Sequence, residues 1–185
     1  IDVEPPFNSG PRLFINTKGH FSEIARNPFP AEDYISVFGI QTGDFNGDGY
    51  DDVILAGGYS QDGSGLSLRL YLNLNGVFIR QPVIQDSILY SGLVNFADLN
   101  NDGALDILTR WNQVSAFISQ SIPNYFIKLS VTGSGRNNQQ GRAIKIIYPN
   151  GKVRIMLVDG GSGYMTNQPY PLLIANDAGA ILSIE

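Results

Sequence analysis

The sequence predicts an all-β protein, and three observations carry that expectation. Turn-forming residues are dense, with 21 Gly and 10 Pro in 185 residues. Apolar residues fall in short runs bounded by turn signals, and no stretch of a dozen residues holds a 3.6-residue period. One Asp-rich motif occurs twice, each time followed by an apolar triplet of strand character.

Taken in order, the runs Val53–Ala56, Leu66–Leu72, Asp106–Thr109, Val114–Ile118, Phe126–Val131 and Ala143–Tyr148 read as short strands. The nearest approach to a helix is HFSEIAR at 20–26, and the NPFP that follows would stop it. Self-similarity orders the first two thirds of the chain. Segment 37–55, VFGIQTGDFNGDGYDDVIL, and segment 91–108, SGLVNFADLNNDGALDIL, share D-x-N-x-D-G-x-x-D with an offset of 54 residues. LFINTKGHF at 13–21 and LYLNLNGVF at 70–78 recur at an offset of 57, and AFISQSIPNYF at 116–126 is a weaker third copy. Two hairpins per repeat make about four strands, the size of one β-propeller blade. Residues 1–123 are thus expected to form a partial β-propeller of about two and a half four-stranded blades.

Beyond the Pro123 boundary the composition changes. Residues 124–185 are expected to form a small β domain. GSGRNNQQG at 133–141 and GGSGYMTNQPYP at 160–171 read as loops, YPNG as a type I or I′ hairpin turn, and LLIA and AILSIE as further strands. Charge divides the same way: residues 1–123 carry 6 basic and 14 acidic side chains, residues 124–185 carry 6 and 3. Opposite balances favour docking of the two parts on each other or on an acidic neighbour. The loops 133–141 and 160–171, with Arg136 and Arg142 beside the first, are the expected contact surfaces.

Composition also excludes classes of function. At 43% apolar and 16% charged, the chain is no disordered tail. With no Cys it holds no disulfide, thiolate zinc site or Cys nucleophile. No run approaches the roughly 20 apolar residues of a membrane helix, and IDVEPPFNSGPRLF is not a signal peptide. Seven of the 13 Asp lie in the two repeated segments, a pattern for cations rather than nucleic acid.

The chemistry expected of those segments is calcium binding at two sites. Calcium takes six to eight oxygen ligands at flexible angles. Asp44, Asn46, Asp48 and Asp52 supply side-chain oxygens in the first loop, with the carbonyl of Tyr50. Asp98, Asn100, Asp102 and Asp106 do so in the second, with the carbonyl of Ala104. Gly49 and Gly103 permit the positive φ needed to wrap the chain. These are not EF-hands: position 12 is Leu55 or Thr109 instead of Glu, and strand sequences follow. An ordinary hairpin turn with surface carboxylates is the plain alternative for one such loop; two copies in register argue against it.

Residues 37–55 resemble the FG-GAP repeat, also called VCBS, of integrin-type propellers. Phe38-Gly39 stands where that family has its Phe-Gly pair, and GDFNGDGYDD matches its calcium loop. The second copy has Ser91-Gly92 instead of Phe-Gly. The resemblance implies antiparallel blades with a structural calcium in each loop. Residues 124–185 resemble the ASPIC/UnbV domain in NYFIKLSVTG, RNNQQGRAIKI and GGSGYMTNQ. They depart from it at Leu172–Asn176, where that family has His-Phe-Gly-Leu-Gly, and lack its Trp-Pro-Ser-Gly-like strand.

No catalytic constellation emerges. His20, the only His, has no nucleophile and acid arranged with it, and Ser162 lies in a Gly-rich loop without a G-x-S-x-G elbow. Carboxylates held by an ion stay ionised, so they make poor acid catalysts. Tyr59, Trp111, Tyr164 and Tyr170 suit packing or a sugar-binding rim. The expectation is therefore a non-catalytic, calcium-stabilised binding or adhesion module with protein partners. Its place is extracytoplasmic, because extracellular calcium modules bind at roughly 10⁻⁴–10⁻³ M. The alternatives are a structural subunit of a cell-envelope assembly and a carbohydrate-binding protein.

Overall fold

The computed structural model describes residues 11–29, 37–57, 68–82, 93–110, 113–120, 126–131, 141–158, 172–175 and 183–185. Every regular element among them is a strand. A first hairpin pairs β1 (Phe14–Thr17) with β2 (His20–Glu23). A four-stranded antiparallel sheet then runs in chain order through β3 (Val37–Gly43), β4 (Asp52–Gly57), β5 (Arg69–Leu74) and β6 (Val77–Arg80). A three-stranded sheet follows in the same sense, with β7 (Leu93–Ala97), β8 (Asp106–Arg110) and β9 (Val114–Phe117). Among the described residues no sheet closes on itself, and the second unit shows three strands where four were expected.

Two of the three hairpin copies seen in the sequence are repeats of backbone geometry; the third, at 116–126, does not pair with itself among the described residues, since Val114–Phe117 pairs with β8 and Phe126 opens a strand that pairs with Leu172–Ala175. β1–β2 and β5–β6 turn through Lys18-Gly19 and Asn75-Gly76, both residues of each pair at positive φ. That is the type I′ turn whose twist matches the flanking strands. The Asn one position before each terminal strand residue locks it: Asn16 Oδ1 accepts from Gly19 N at 2.8 Å, and Asn73 Oδ1 from Gly76 N at 2.7 Å. β3 pairs with β4 through a register shift between Val37 and Gly39, so the Phe-Gly dipeptide marks a β-bulge.

Strand β4 is the hub of packing. Its consecutive apolar residues bury both faces, as expected of a strand covered on two sides. Ile54 and Ala56 face Val94, Phe96, Leu105 and Ile107 of the second unit, forming the larger core. Leu55 faces the other way, onto Tyr71 and Phe29. Phe29 comes from the NPFP segment and packs edge-on against Tyr71 at 5.0 Å between ring centroids. The leading strands β3 and β7 lie side by side in separate sheets.

The remaining strands build a smaller C-terminal unit. β10 (Phe126–Leu129) pairs with β13 (Leu172–Ala175), while β11 (Arg142–Ile147) pairs with β12 (Val153–Val158) and β14 (Ser183–Ile184). Ile144, Ile146, Tyr148, Val158, Leu172 and Ile174 form its core. The β11–β12 turn is type I: Gly151 N donates to Tyr148 O at 2.9 Å, and Gly151 alone in the turn has positive φ. A type I′ turn would need positive φ at Pro149, which its ring forbids.

Gly103 and Gly76 share a φ of 90° but differ in surroundings. A methyl group at Gly103 would overlap the Phe126 ring, whereas Gly76 has open space. Both Ala substitutions carry backbone strain; Gly103→Ala also has to displace the ring. Gly103→Ala is expected to cost about 1–3 kcal/mol more than Gly76→Ala, read from urea midpoints.

Candidate functional site

Each Asp loop bridges the first two strands of its sheet: residues 44–51 join β3 to β4, and 98–105 join β7 to β8. Their hydrogen bonds correspond at every position but one: Asp98 Oδ1 accepts from Asp102 N at 3.0 Å, whereas Asp44 Oδ1 has no partner. The first-position carboxylate accepts from the sixth-position Gly, Asp44 Oδ2 from Gly49 N at 2.9 Å and Asp98 Oδ2 from Gly103 N at 3.2 Å. The fifth-position carboxylate accepts from the seventh amide, Asp48 Oδ1 from Tyr50 N at 2.8 Å and Asp102 Oδ1 from Ala104 N at 2.9 Å. Asn46 and Asn100 each donate to that same carboxylate and accept from its backbone N–H. Asn101, where the first loop has Gly47, also has positive φ, 64° against 78°. Asn reaches this conformation more readily than other side chains, so the change preserves the loop.

The ninth-position residues, Asp52 and Asp106, lie where the sequence places them, at the first residue of the outgoing strand. Both are fully buried. Each carboxylate ties two segments together. Asp52 Oδ2 accepts from Phe45 N and Oδ1 from Asn73 N of β5, both at 2.8 Å. Asp106 accepts from Leu99 N and Ser119 N, also at 2.8 Å. The loop and the third strand are thereby held to one side chain. With the carboxylates so engaged, no three Asp, Glu or His side chains among the described residues are grouped closely enough to hold a metal ion.

The donor chemistry nonetheless suits a hard cation. Every side-chain group is oxygen-bearing, and Asp44 Oδ1 is buried without a hydrogen-bond partner, as is Gln41 Oε1 nearby on β3. An orphaned buried acceptor of this kind needs a water or an ion. Burial pushes the Asp44 carboxyl up to about 7; Arg154 opposes the rise, and Asp48 and Asp52 add to it. Burial likewise pushes Asp52 up to about 6, against the N–H donors of Asn73 and Phe45. Desolvation therefore outweighs every nearby favourable contact in both.

The C-terminal unit reaches both loops. Arg154 of β12 is buried between Asp44 and Asp51, with its Nη1 3.1 Å from Asp44 Oδ2. Lys152 donates to the Asp48 carbonyl at 2.7 Å, and its ammonium sits over the Tyr50 ring. Lys128 of β10 pairs with Asp98 Oδ2 at 3.0 Å and contacts Asn101. A cavity of about 220 Å³ opens beside these contacts, lined by Gln41, Asp44, Arg154, Met156 and Leu172 among others. Sequence reasoning did not single out Lys128, Lys152 or Arg154; the opposite charge balances of the two parts were their only signal. The contact surfaces expected at 133–141 and 160–171 fall outside the described residues, apart from exposed Gly141. So do Arg136, Ser162, Tyr59, Trp111, Tyr164 and Tyr170. Arg142 is exposed at the start of β11, and His20 is exposed at the start of β2.

Two outcomes follow from this geometry. Replacing Asp52 or Asp106 by Asn turns an N–H donor toward a backbone N–H. Each variant is expected to lose about 1–3 kcal/mol in urea denaturation, with EDTA as well as with calcium. For Asp44 and Asp52 the folded pKa lies above the ordinary 3.8. Their contribution to stability is then full below about pH 4 and is lost as pH rises through about 6 to 7. Asp44→Asn mimics the protonated form. In metal-stripped protein it should match wild type in Tm near pH 4 and exceed it by several degrees at pH 8, by scanning calorimetry.

Compared with known protein families, the chain matches the FG-GAP-like repeat over residues 6–55 and again over 44–109. The matches end at Leu55 and Thr109, 54 residues apart, the same interval as the Asp loops. Comparison with individual curated proteins finds no match. Because the two matches together span more than half of its length and contain both loops, the chain belongs to the FG-GAP-like repeat family.

Proposed function

We propose that this chain is a non-catalytic binding module whose two repeat units are blades of a β-propeller, each stabilised by a calcium ion in its Asp loop. The observation that carries the reading is the buried, unpartnered Asp44 Oδ1 in a loop otherwise built of oxygen donors. The proposed ligands are Asp44, Asn46, Asp48, Asp52 and the Tyr50 carbonyl in the first loop. In the second they are Asp98, Asn100, Asp102, Asp106 and the Ala104 carbonyl. For Asp52 and Asp106 to join, one backbone hydrogen bond of each has to be shared with the ion. An ion there would offset the desolvation that raises Asp44 and Asp52, and would supply the positive charge that three carboxylates per loop require.

The module works outside the cytoplasm, where calcium reaches the range such loops need, and residues 124–185 act as an ASPIC/UnbV-like contact domain. No helix among the described residues is long and apolar enough to cross a membrane. A second reading, a structural subunit of a cell-envelope assembly, is supported by apolar side chains on outer strands. Val77 and Ile79 of β6 and Val114 of β9 are exposed, and β1–β2 is exposed at every position. Such surfaces suit protein partners.

Thermal melts at millimolar calcium and in EDTA test the calcium reading. Calcium at 100 times Kd should stabilise by about 2.7 kcal/mol per site, an upward shift of several degrees that Asp44→Asn with Asp98→Asn abolishes. Identical melting temperatures in the two buffers would sink it.

A further inference from the structure

The same carboxylate oxygen is taken twice by the C-terminal unit. In the first loop Asp44 Oδ2 accepts both from Gly49 N and from Arg154. In the second Asp98 Oδ2 accepts from Gly103 N and pairs with Lys128. The cations come from different strands, β12 and β10, and neither belongs to the internal repeat. The packing is equivalent too. A Cβ at sixth-position Gly49 would press on Lys152 and Tyr148, and one at Gly103 would strike Phe126. Two repeated loops thus offer one docking spot each, and one unit covers both with positive charge.

We propose that Arg154 and Lys128 set the affinity of the two loops for a divalent cation by competing with it for the first-position carboxylates, so that metal binding and docking of the C-terminal unit oppose each other. The inference rests on the calcium reading above and adds its regulation. Arg154 and Asp44 are both buried, so their charges are poorly screened. A divalent ion in that loop draws Asp44 toward itself and repels the guanidinium beside it. Lys152 holds the carbonyl of Asp48 and covers Tyr50, so it also stands against the ion. In the second loop Lys128 is only partly buried and better screened, so the opposition there is weaker. Linkage makes the effect reciprocal: whatever factor docking takes from metal affinity, metal takes from docking. Calcium then loosens the β11–β12 hairpin from the blades, and low calcium clamps it down.

The test uses the whole 185-residue chain and calcium itself. Isothermal titration of wild type, Arg154→Met and Lys128→Met is expected to show calcium bound about tenfold more tightly at the first loop of Arg154→Met. Lys128→Met should tighten the second loop by a smaller factor, and Arg154→Lys should stay near wild type. Unchanged or weakened binding in Arg154→Met, with binding present in wild type, overturns the competition and leaves the calcium reading intact. Absence of calcium binding in every protein overturns both. Should Arg154→Met fail to fold, hydrogen exchange on wild type decides. Calcium should protect the Gly49 and Gly103 amides while speeding exchange at Tyr148–Lys152 several-fold. Slower or unchanged exchange in that hairpin overturns the proposal.

Discussion

A buried carboxylate at the head of a strand organises each repeat unit. Asp52 has no contact with solvent, and its two oxygens receive N–H groups from segments far apart in sequence, the loop at Phe45 and the third strand at Asn73. The curl of the loop and the placement of β5 beside β4 are therefore one constraint. Asp106 imposes it again through Leu99 and Ser119. Charge-assisted bonds of this kind are worth about 1.5–3 kcal/mol each, yet burial still raises the Asp52 carboxyl to about 6. The arrangement is geometrically rigid and electrostatically unfinished.

That unfinished charge explains why the C-terminal unit is seated where it is. Asp44 is surrounded by Asp48, Asp52 and a desolvating core, and Arg154 answers it from a strand 110 residues away. A buried ion pair of this sort gains little over apolar packing, because both partners leave water. Arg154, Lys152 and Lys128 tie β10 and the β11–β12 hairpin to the two loops. The small core around Ile146 and Ile174 holds those strands together.

Packing between the units follows from residue size at one close approach. A Cβ at Gly43, the last residue of β3, would come within 3.0 Å of Phe96 and Leu105. The absence of a side chain lets the second sheet press its aromatic core onto the first, where Phe45 meets Phe96 at 5.6 Å between ring centroids. The loop that carries the carboxylates thus also contributes to the interface between sheets.

Local structure was legible in the sequence because its causes are local. Asn-Gly and Lys-Gly dictate tight hairpins, the D-x-N-x-D-G pattern dictates a tight loop between two strands, and apolar triplets dictate short strands. All of these emerge at the expected places, as does the repeat interval. The type of the YPNG turn was open until the position of the positive φ was seen at Gly151. What tertiary structure alone decided was long-range. Phe29, read as part of a helix stop, is a core residue because it meets Tyr71 and Phe78 from other strands. Arg154 and Lys128 look like ordinary strand cations, and only folding brings them to Asp44 and Asp98. Asp52 reads as a cation ligand at the head of the outgoing strand; its bond to Asn73 depends on where β5 returns. Sequence by itself determined the loops, turns and strands, because hydrogen bonds between near neighbours need no partner from afar. The charge pairing and burial that give those loops their chemistry were decided by tertiary structure, because both depend on distances between residues tens of positions apart.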